Sequence, residues 1–143
     1  MNREEDQPSA DVSVDELLSA VKSFLMESAA PQLQGRNRFN ARVAANVLGI
    51  TQRENAMGPA LHALDQDAAT KWLTTVEKDA PIAQQLSCAL ARREITDTAG
   101  FFDYLKRRQL LVTAINNPKY ASRAVAEQRW QSAELAPATR AQE

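Results

Sequence analysis

Between Gly35 and Glu54 the chain reads GRNRFNARVAANVLGITQRE, and its apolar residues Phe39, Val43, Val47 and Ile50 recur at steps of 4, 4 and 3. That spacing lays one stripe along an α-helix and does not fit the two-residue period of a strand. Beside it, Arg38, Arg42, Asn46 (or Ala45), Gly49 and Arg53 form a second stripe. Arg36 adds a further charge, and the first acid of the stretch is its last residue, Glu54. The segment therefore predicts a helix with an apolar face flanked by a basic, polar one. No other part of the chain combines those features, so this is its one candidate binding surface.

The rest of the chain points to the same class. Ala, Leu, Arg, Glu and Gln dominate, all good helix formers, while Gly is low at 4. No alternating run is long enough for a strand. With 143 residues the chain has the size of one domain. Residues 1–11 are polar and acidic, and disorder is expected there. Ser13-Val14-Asp15-Glu16 reads as a capping box with Val12 and Leu17 as a staple, opening a first helix whose buried stripe is Val14, Leu17, Leu18, Val21, Leu25 and Phe24. That helix is expected to stop near Ala29, because Pro31 disfavours helical geometry in the residue before it. Gly35, in the connection that follows, is free to take a positive φ.

The second helix, 38–56, is expected to end at Gly58-Pro59. A third carries Leu61, Leu64, Ala68, Trp72 (or Leu73) and Val76, with a break possible across Asp65–Thr70. Asp79-Ala80-Pro81 reads as a stop and a fresh cap before a fourth helix with Ile82, Leu86, Ala89 (or Leu90) and Arg93. The fifth runs from about Ala99 to Asn116 with Phe101 (or Phe102), Leu105, Arg108, Val112 and Ile115 on one face, and Asn116-Asn117-Pro118 closes it. Residues 121–143 hold few large apolar side chains, so a short helix to about Leu135 and then a loose tail are expected. The expected fold is all-α: a compact antiparallel bundle of about five helices over 12–120, with 121–143 as a C-terminal extension.

Bulk properties narrow the function. The formal net charge of −1 offers no global field for nucleic acid or an anionic membrane. The single cysteine, Cys88, permits no intramolecular disulfide, and no stretch approaches the ~20 apolar residues of a membrane span. The N-terminal MNREEDQPSAD lacks the apolar core of a secretory signal. A cytoplasmic setting is expected.

Few residues suggest chemistry. Arginines on the helix at 38–56 suit phosphate or carboxylate, whether on a small ligand or on an acidic protein patch; the plainer alternative is that they solvate the face or pair with nearby acids. Asn46, at the edge of the apolar stripe, is expected as a buried amide before a ligand contact. His62 is the only histidine and sits in no motif with a nucleophile; a surface position is expected. Cys88, among Leu86, Ala89 and Leu90, reads as a small core residue. One Cys and one His cannot build an ordinary zinc site. Asp65/Asp67 and Glu4/Glu5 lack a partner motif. Arg93 and Arg108 fall on apolar stripes, where their stems snorkel or their heads face a partner or an internal carboxylate. With no phosphate-cradling loop, GxSxG or dinucleotide fingerprint, neither a catalyst nor a metal or cofactor site is expected.

Two segments carry a resemblance. Phe39-Asn40-Ala41-Arg42-Val43-Ala44-Ala45-Asn46-Val47-Leu48, then Gln52-Arg53-Glu54 and Gly58-Pro59, is similar to the central helix of a family of small bacterial proteins of unassigned function. Asn117-Pro118-Lys119-Tyr120 resembles the end of the same family pattern. The opening Asp15-Glu16-Leu17-Leu18-Ser19-Ala20-Val21 through Phe24-Leu25, with Pro31, Leu33 and Gly35, also fits it, so the resemblance spans about residues 12–120. Asn40 departs from the pattern, which has His there. The resemblance implies genes for an aminoglycoside-phosphotransferase-like kinase and an acyl-CoA dehydrogenase-like enzyme nearby, as in routes that phosphorylate 4-hydroxyacyl-CoA. It implies a non-catalytic accessory subunit of that kinase, with the dehydrogenase-like enzyme a possible second partner. Arg38, Arg42, Asn46 and Arg53 are the expected contact residues, with Lys119 and Tyr120 as a second patch. The alternatives are a stand-alone bundle that binds CoA esters or phosphorylated acids on the same face, and a homo-oligomeric structural protein.

Overall fold

A computed structural model describes residues 12–135. The expected disorder of 1–11 and the expected loose tail after 135 lie outside them. The fold is all-α as expected: α1 (Val14–Ser23), a π-helical turn (Phe24–Ala29), α2 (Ala30–Gln32), α3 (Gly35–Trp72), α4 (Ile82–Ala91), α5 (Thr98–Asn116) and α6 (Ala121–Leu135), with no strand among the described residues. None of these helices is long and apolar enough to cross a membrane. The chain divides into two compact units, Met1–Gln52 and Arg53–Glu143.

In the first unit, α1 opens on the capping box read from the sequence. Ser13 N–H donates to Glu16 Oε2 at 2.8 Å and Glu16 N–H donates to Ser13 Oγ at 3.2 Å. The Ser13 backbone N–H, then its hydroxyl, hold the Glu16 carboxyl below its ordinary range. The expected stop near Ala29 is not observed. Helical backbone continues to Gln32, and Ala30 keeps helical angles (φ −58°, ψ −37°) although Pro31 follows it. The intervening π turn supplies the reason. Proline lacks an N–H, and its ring clashes with the carbonyl four residues back. Widening to i→i−5 bonds, with Ala30 N–H donating to Leu25 O, makes room for that ring. Leu33 then leaves in extended conformation, and Gly35 takes the positive φ (+50°) that its lack of a Cβ permits.

The chain turns back through α3. Near the end of the unit, Gln52 Nε2 donates to Ser19 Oγ (2.7 Å) and Asp15 Oδ1 (3.0 Å). Contact between the start of α1 and residue 52 makes the unit an antiparallel helical hairpin. Gln52 continues a stripe with Ala41, Ala45 and Leu48, of which Ala41 and Ala45 are buried, so this small-residue stripe faces α1. The stripe expected to be buried on α1 is not: Val14, Leu17, Val21 and Phe24 are exposed, and only Leu18 and Leu25 are half-buried. Phe39, Val43 and Val47 are exposed too. Two helices share a single seam, which covers one stripe on each. Alanines at that seam let the backbones come close, leaving the larger residues outside.

In the second unit, α3 and α5 run antiparallel, because contacts climb one helix as they descend the other. Arg53 reaches Ile115, Asp65 reaches Tyr104 and Arg108, and Lys71 reaches Asp97. The helix end expected at Gly58-Pro59 is therefore corrected: Pro59 lies inside α3. Its missing hydrogen bond and ring clash cost about 3 kcal/mol in a helix interior. Beyond it, Ala68 is buried and Leu64 and Trp72 are packed against the core, which offsets that cost. Leu86 and Ala89 from α4 and Phe101 and Tyr104 from α5 complete this core with Ile95. Trp72, Phe101 and Tyr104 form an aromatic cluster with ring centroids 5.2–5.8 Å apart, Trp72 and Phe101 edge to face. The loop before α4 is held by Gln85, whose amide bonds Glu77 N–H and the Glu77 and Ala80 carbonyls.

Helix α4 ends at Ala91, so Arg93 lies beyond the stripe on which the sequence placed it. Its N–H donates to Leu90 O and that of Glu94 to Ala89 O, the paired bonds of a Schellman cap, and Arg93 sits at φ +59°. A non-glycine residue in that conformation is strained by about 1–2 kcal/mol. Cys88, expected in the core, is exposed, because the buried face of α4 is the Leu86–Ala89 side. Arg93→Gly is expected to stabilise the protein by about 0.5–1 kcal/mol, the relieved strain less the extra freedom of the unfolded chain. Urea unfolding monitored by circular dichroism measures it.

Candidate functional site

Arg38, Arg42 and Asn46 lie one helical turn apart along α3 in the first unit, and all three are exposed. The buried amide expected at Asn46 is corrected: the seam runs through Ala41 and Ala45, and Asn46 falls outside it. No acid among the described residues pairs with Arg38 or Arg42. Next to them, Phe39 is 65% and Val47 53% exposed. The basic face and the apolar face of this helix are thus both open, side by side.

Arg53, expected on the same stripe, belongs to the second unit and has an internal role. It is half-buried, and its Nε donates to Ile115 O at 2.6 Å. That carbonyl lies in the last turn of α5, where intrahelical donors run out, and a cation there also suits the helix dipole. Lys119 and Tyr120 are exposed in the turn between α5 and α6, where Tyr120 N–H donates to Asn117 O and Arg123 N–H to Tyr120 O.

The half-buried polar centre of the second unit was not read as a group from the sequence. Asp65 Oδ1 accepts from the Tyr104 hydroxyl at 2.8 Å and from Arg108 Nε at 3.0 Å, and Oδ2 accepts from Arg108 Nη2 at 3.3 Å. The internal carboxylate was among the expected destinations of Arg108; its signal was the Tyr104/Arg108 pair one turn apart facing an acid on another predicted helix. Burial first, and the bond to Asp65 second, push the Tyr104 phenol well above the ordinary tyrosine range. Asp97, the N-cap of α5, accepts from Gly100 N–H at 2.9 Å and pairs with Lys71 at 2.8 Å. The Lys71 bond, then the Gly100 N–H, hold its carboxyl low. These are fastening chemistries: each ionised group has a counter-charge and none faces a nucleophile.

His62 is exposed, with Nε2 3.4 Å from Gln66 Nε2. Cys88 lines a pocket of about 230 Å³ with Arg92, Gln84 and Thr75. A groove of about 310 Å³ runs beside Trp72, Leu64 and Ala68, rimmed by Lys71 and Asp103. Among the described residues no three His, Cys, Asp or Glu side chains come together as a metal site would require.

Removing the Asp65 carboxylate strands a guanidinium and a phenol in a half-buried site, so Asp65→Ala is expected to cost about 2–3 kcal/mol by chemical denaturation. The raised Tyr104 pKa also fixes a pH dependence. The folded state keeps the phenol proton that the unfolded chain releases near pH ~10, so this contribution is intact below that pH and is lost as pH rises beyond it. In a Tyr120→Phe background, which leaves Tyr104 as the single phenol, phenolate absorbance is expected to appear only as the protein unfolds in alkali.

A model of the family described as a domain of unknown function (DUF6285) matches residues 31–120, and the chain belongs to that family. Neither the curated proteins nor the solved structures contain a match to this chain.

Proposed function

Starting from membership of the DUF6285 family, we propose that this chain is a non-catalytic accessory or binding subunit of a phosphotransferase-like kinase that acts on acyl-CoA, in particular hydroxyacyl-CoA, substrates. One observation carries the reading: Arg38 and Arg42 are exposed and, among the described residues, without an acidic partner beside an exposed apolar stripe, whereas Arg53, Arg108 and Arg123 each have an internal acceptor. Cations left open next to apolar surface suit a partner that brings carboxylates or phosphates together with apolar cover. Arg38, Arg42 and Asn46 form the contact row, with Lys119 and Tyr120 as a separate exposed patch. The subunit completes or steadies the kinase, or helps hold the phosphate-rich acyl-CoA. The acyl-CoA dehydrogenase-like enzyme is the candidate second partner.

The test is co-expression with a phosphotransferase-like protein that this reading places beside its gene, followed by size exclusion and a kinase assay. A stable complex is expected, with kinase activity that depends on this chain. Arg38→Ala combined with Arg42→Ala is expected to weaken the complex at least about tenfold while shifting stability by less than about 0.5 kcal/mol, since exposed, unpaired side chains contribute little to folding. A kinase fully active alone sinks the reading; micromolar binding of a CoA ester by the isolated chain would favour a stand-alone ligand-binding bundle instead.

A further inference from the structure

Thr74, Thr75 and Glu77, in the loop after α3, and Cys88, Arg92 and Glu94, at the end of α4, line the pocket of about 230 Å³ in the second unit. The charged residues around it are one cation, Arg92, and two acids, Glu77 and Glu94. All three are exposed, and no ion pair joins them to one another or to another described residue. Opposite charges around one pocket with mobile walls would pair directly. Here both walls are fixed. The Gln85 amide, bonded to Glu77 N–H and to the Glu77 and Ala80 carbonyls, holds the loop. The Schellman cap holds the other wall, with Arg93 at φ +59° between Arg92 and Glu94. The space between the charges is therefore kept open for a molecule that bridges them.

We infer that this pocket binds a diamino acid, with the ligand carboxylate on Arg92 and its two ammonium groups on Glu77 and Glu94. The count of charges carries the assignment. A guanidinium takes a carboxylate through two parallel hydrogen bonds, and each glutamate accepts from one ammonium. A phosphate or a dicarboxylate would meet two like charges, and a simple diamine would leave Arg92 without a partner. A metal ion fits less well, since among the described residues no three His, Cys, Asp or Glu side chains come together. Thr74 and Thr75 add hydroxyls, which bond either kind of head group. At about 230 Å³ the pocket is smaller than the ~300–1,000 Å³ of sites for drug-sized ligands, which suits a metabolite of amino-acid size. This site uses none of the residues of the accessory-subunit reading and goes beyond it.

The measurement is calorimetric titration of the full chain with L-lysine. Saturable binding of one L-lysine per chain is expected. Cadaverine, which lacks the carboxylate, and ε-aminocaproate, which lacks the α-ammonium, are each expected to bind at least about tenfold more weakly. Cys88 is the single cysteine of the chain and lines the pocket, so L-lysine is also expected to slow its alkylation by N-ethylmaleimide, which locates the ligand. Arg92→Gln is expected to abolish the preference for L-lysine over cadaverine, and Glu77→Gln combined with Glu94→Gln to weaken both, with helical circular dichroism unchanged. No binding at about 10 mM L-lysine overturns the proposal, as does equal affinity for L-glutamate or binding that leaves the alkylation rate of Cys88 unchanged. None of these results touches the accessory-subunit reading, which fails separately if the kinase works without this chain.

Discussion

The Asp65 carboxylate anchors the second unit. It accepts from Tyr104 and Arg108 on α5, and those two residues stand one turn apart so that both reach it. Together with Lys71–Asp97 and Arg53–Ile115, it sets the antiparallel register between α3 and α5. That register brings Trp72 against Phe101 and Tyr104, and α4 closes over them with Leu86 and Ala89. A half-buried carboxylate with three donors leaves little freedom to slide one helix along the other, because a slip of one turn would separate ionised groups from their partners in a poorly solvated site.

The first unit is built on another principle. Its seam consists of Ala41 and Ala45, continued by Leu48 and by Gln52, whose amide binds α1. This gives close approach and one polar tie, but little buried apolar area. The larger residues are turned outward, beside arginines that pair with no acid among the described residues. The two units differ accordingly: one has an aromatic core and a polar anchor, and the other leaves its larger apolar residues and two arginines exposed.

Much of the architecture was legible because it depends on local chemistry. The Ser13–Glu16 box, the fresh start after Pro81 and the close at Asn117 are set by residues within a turn of one another, and each appears where the sequence placed it. The errors share a different character. Pro59 reads as a stop, yet α3 passes through it because Ala68 and Trp72 are held in the core further on. Pro31 reads as a boundary, yet a π turn accommodates it. The family match over residues 31–120 fits the separated motifs at Phe39–Pro59 and Asn117–Tyr120. Of the candidate contact residues, Arg38 and Arg42 were legible as open cations only in so far as no acid is near them in sequence. Arg53, in the same stripe, met a carbonyl 62 residues away.

The sequence by itself determined that this chain is helical, where most of its helices start, and that one of them carries an apolar and a basic face. Those properties follow from 3.6-residue periodicity and from capping side chains, which act within a few residues. Which face turns inward was decided by the tertiary structure. On α3 the longest apolar stripe stays outside and the alanines go in, because burial depends on how closely two backbones can approach rather than on hydrophobicity alone. The same holds for charge: Arg108 and Arg53 became internal fastenings and Arg38 and Arg42 did not, a distinction set by which acceptors the folded chain brings within reach.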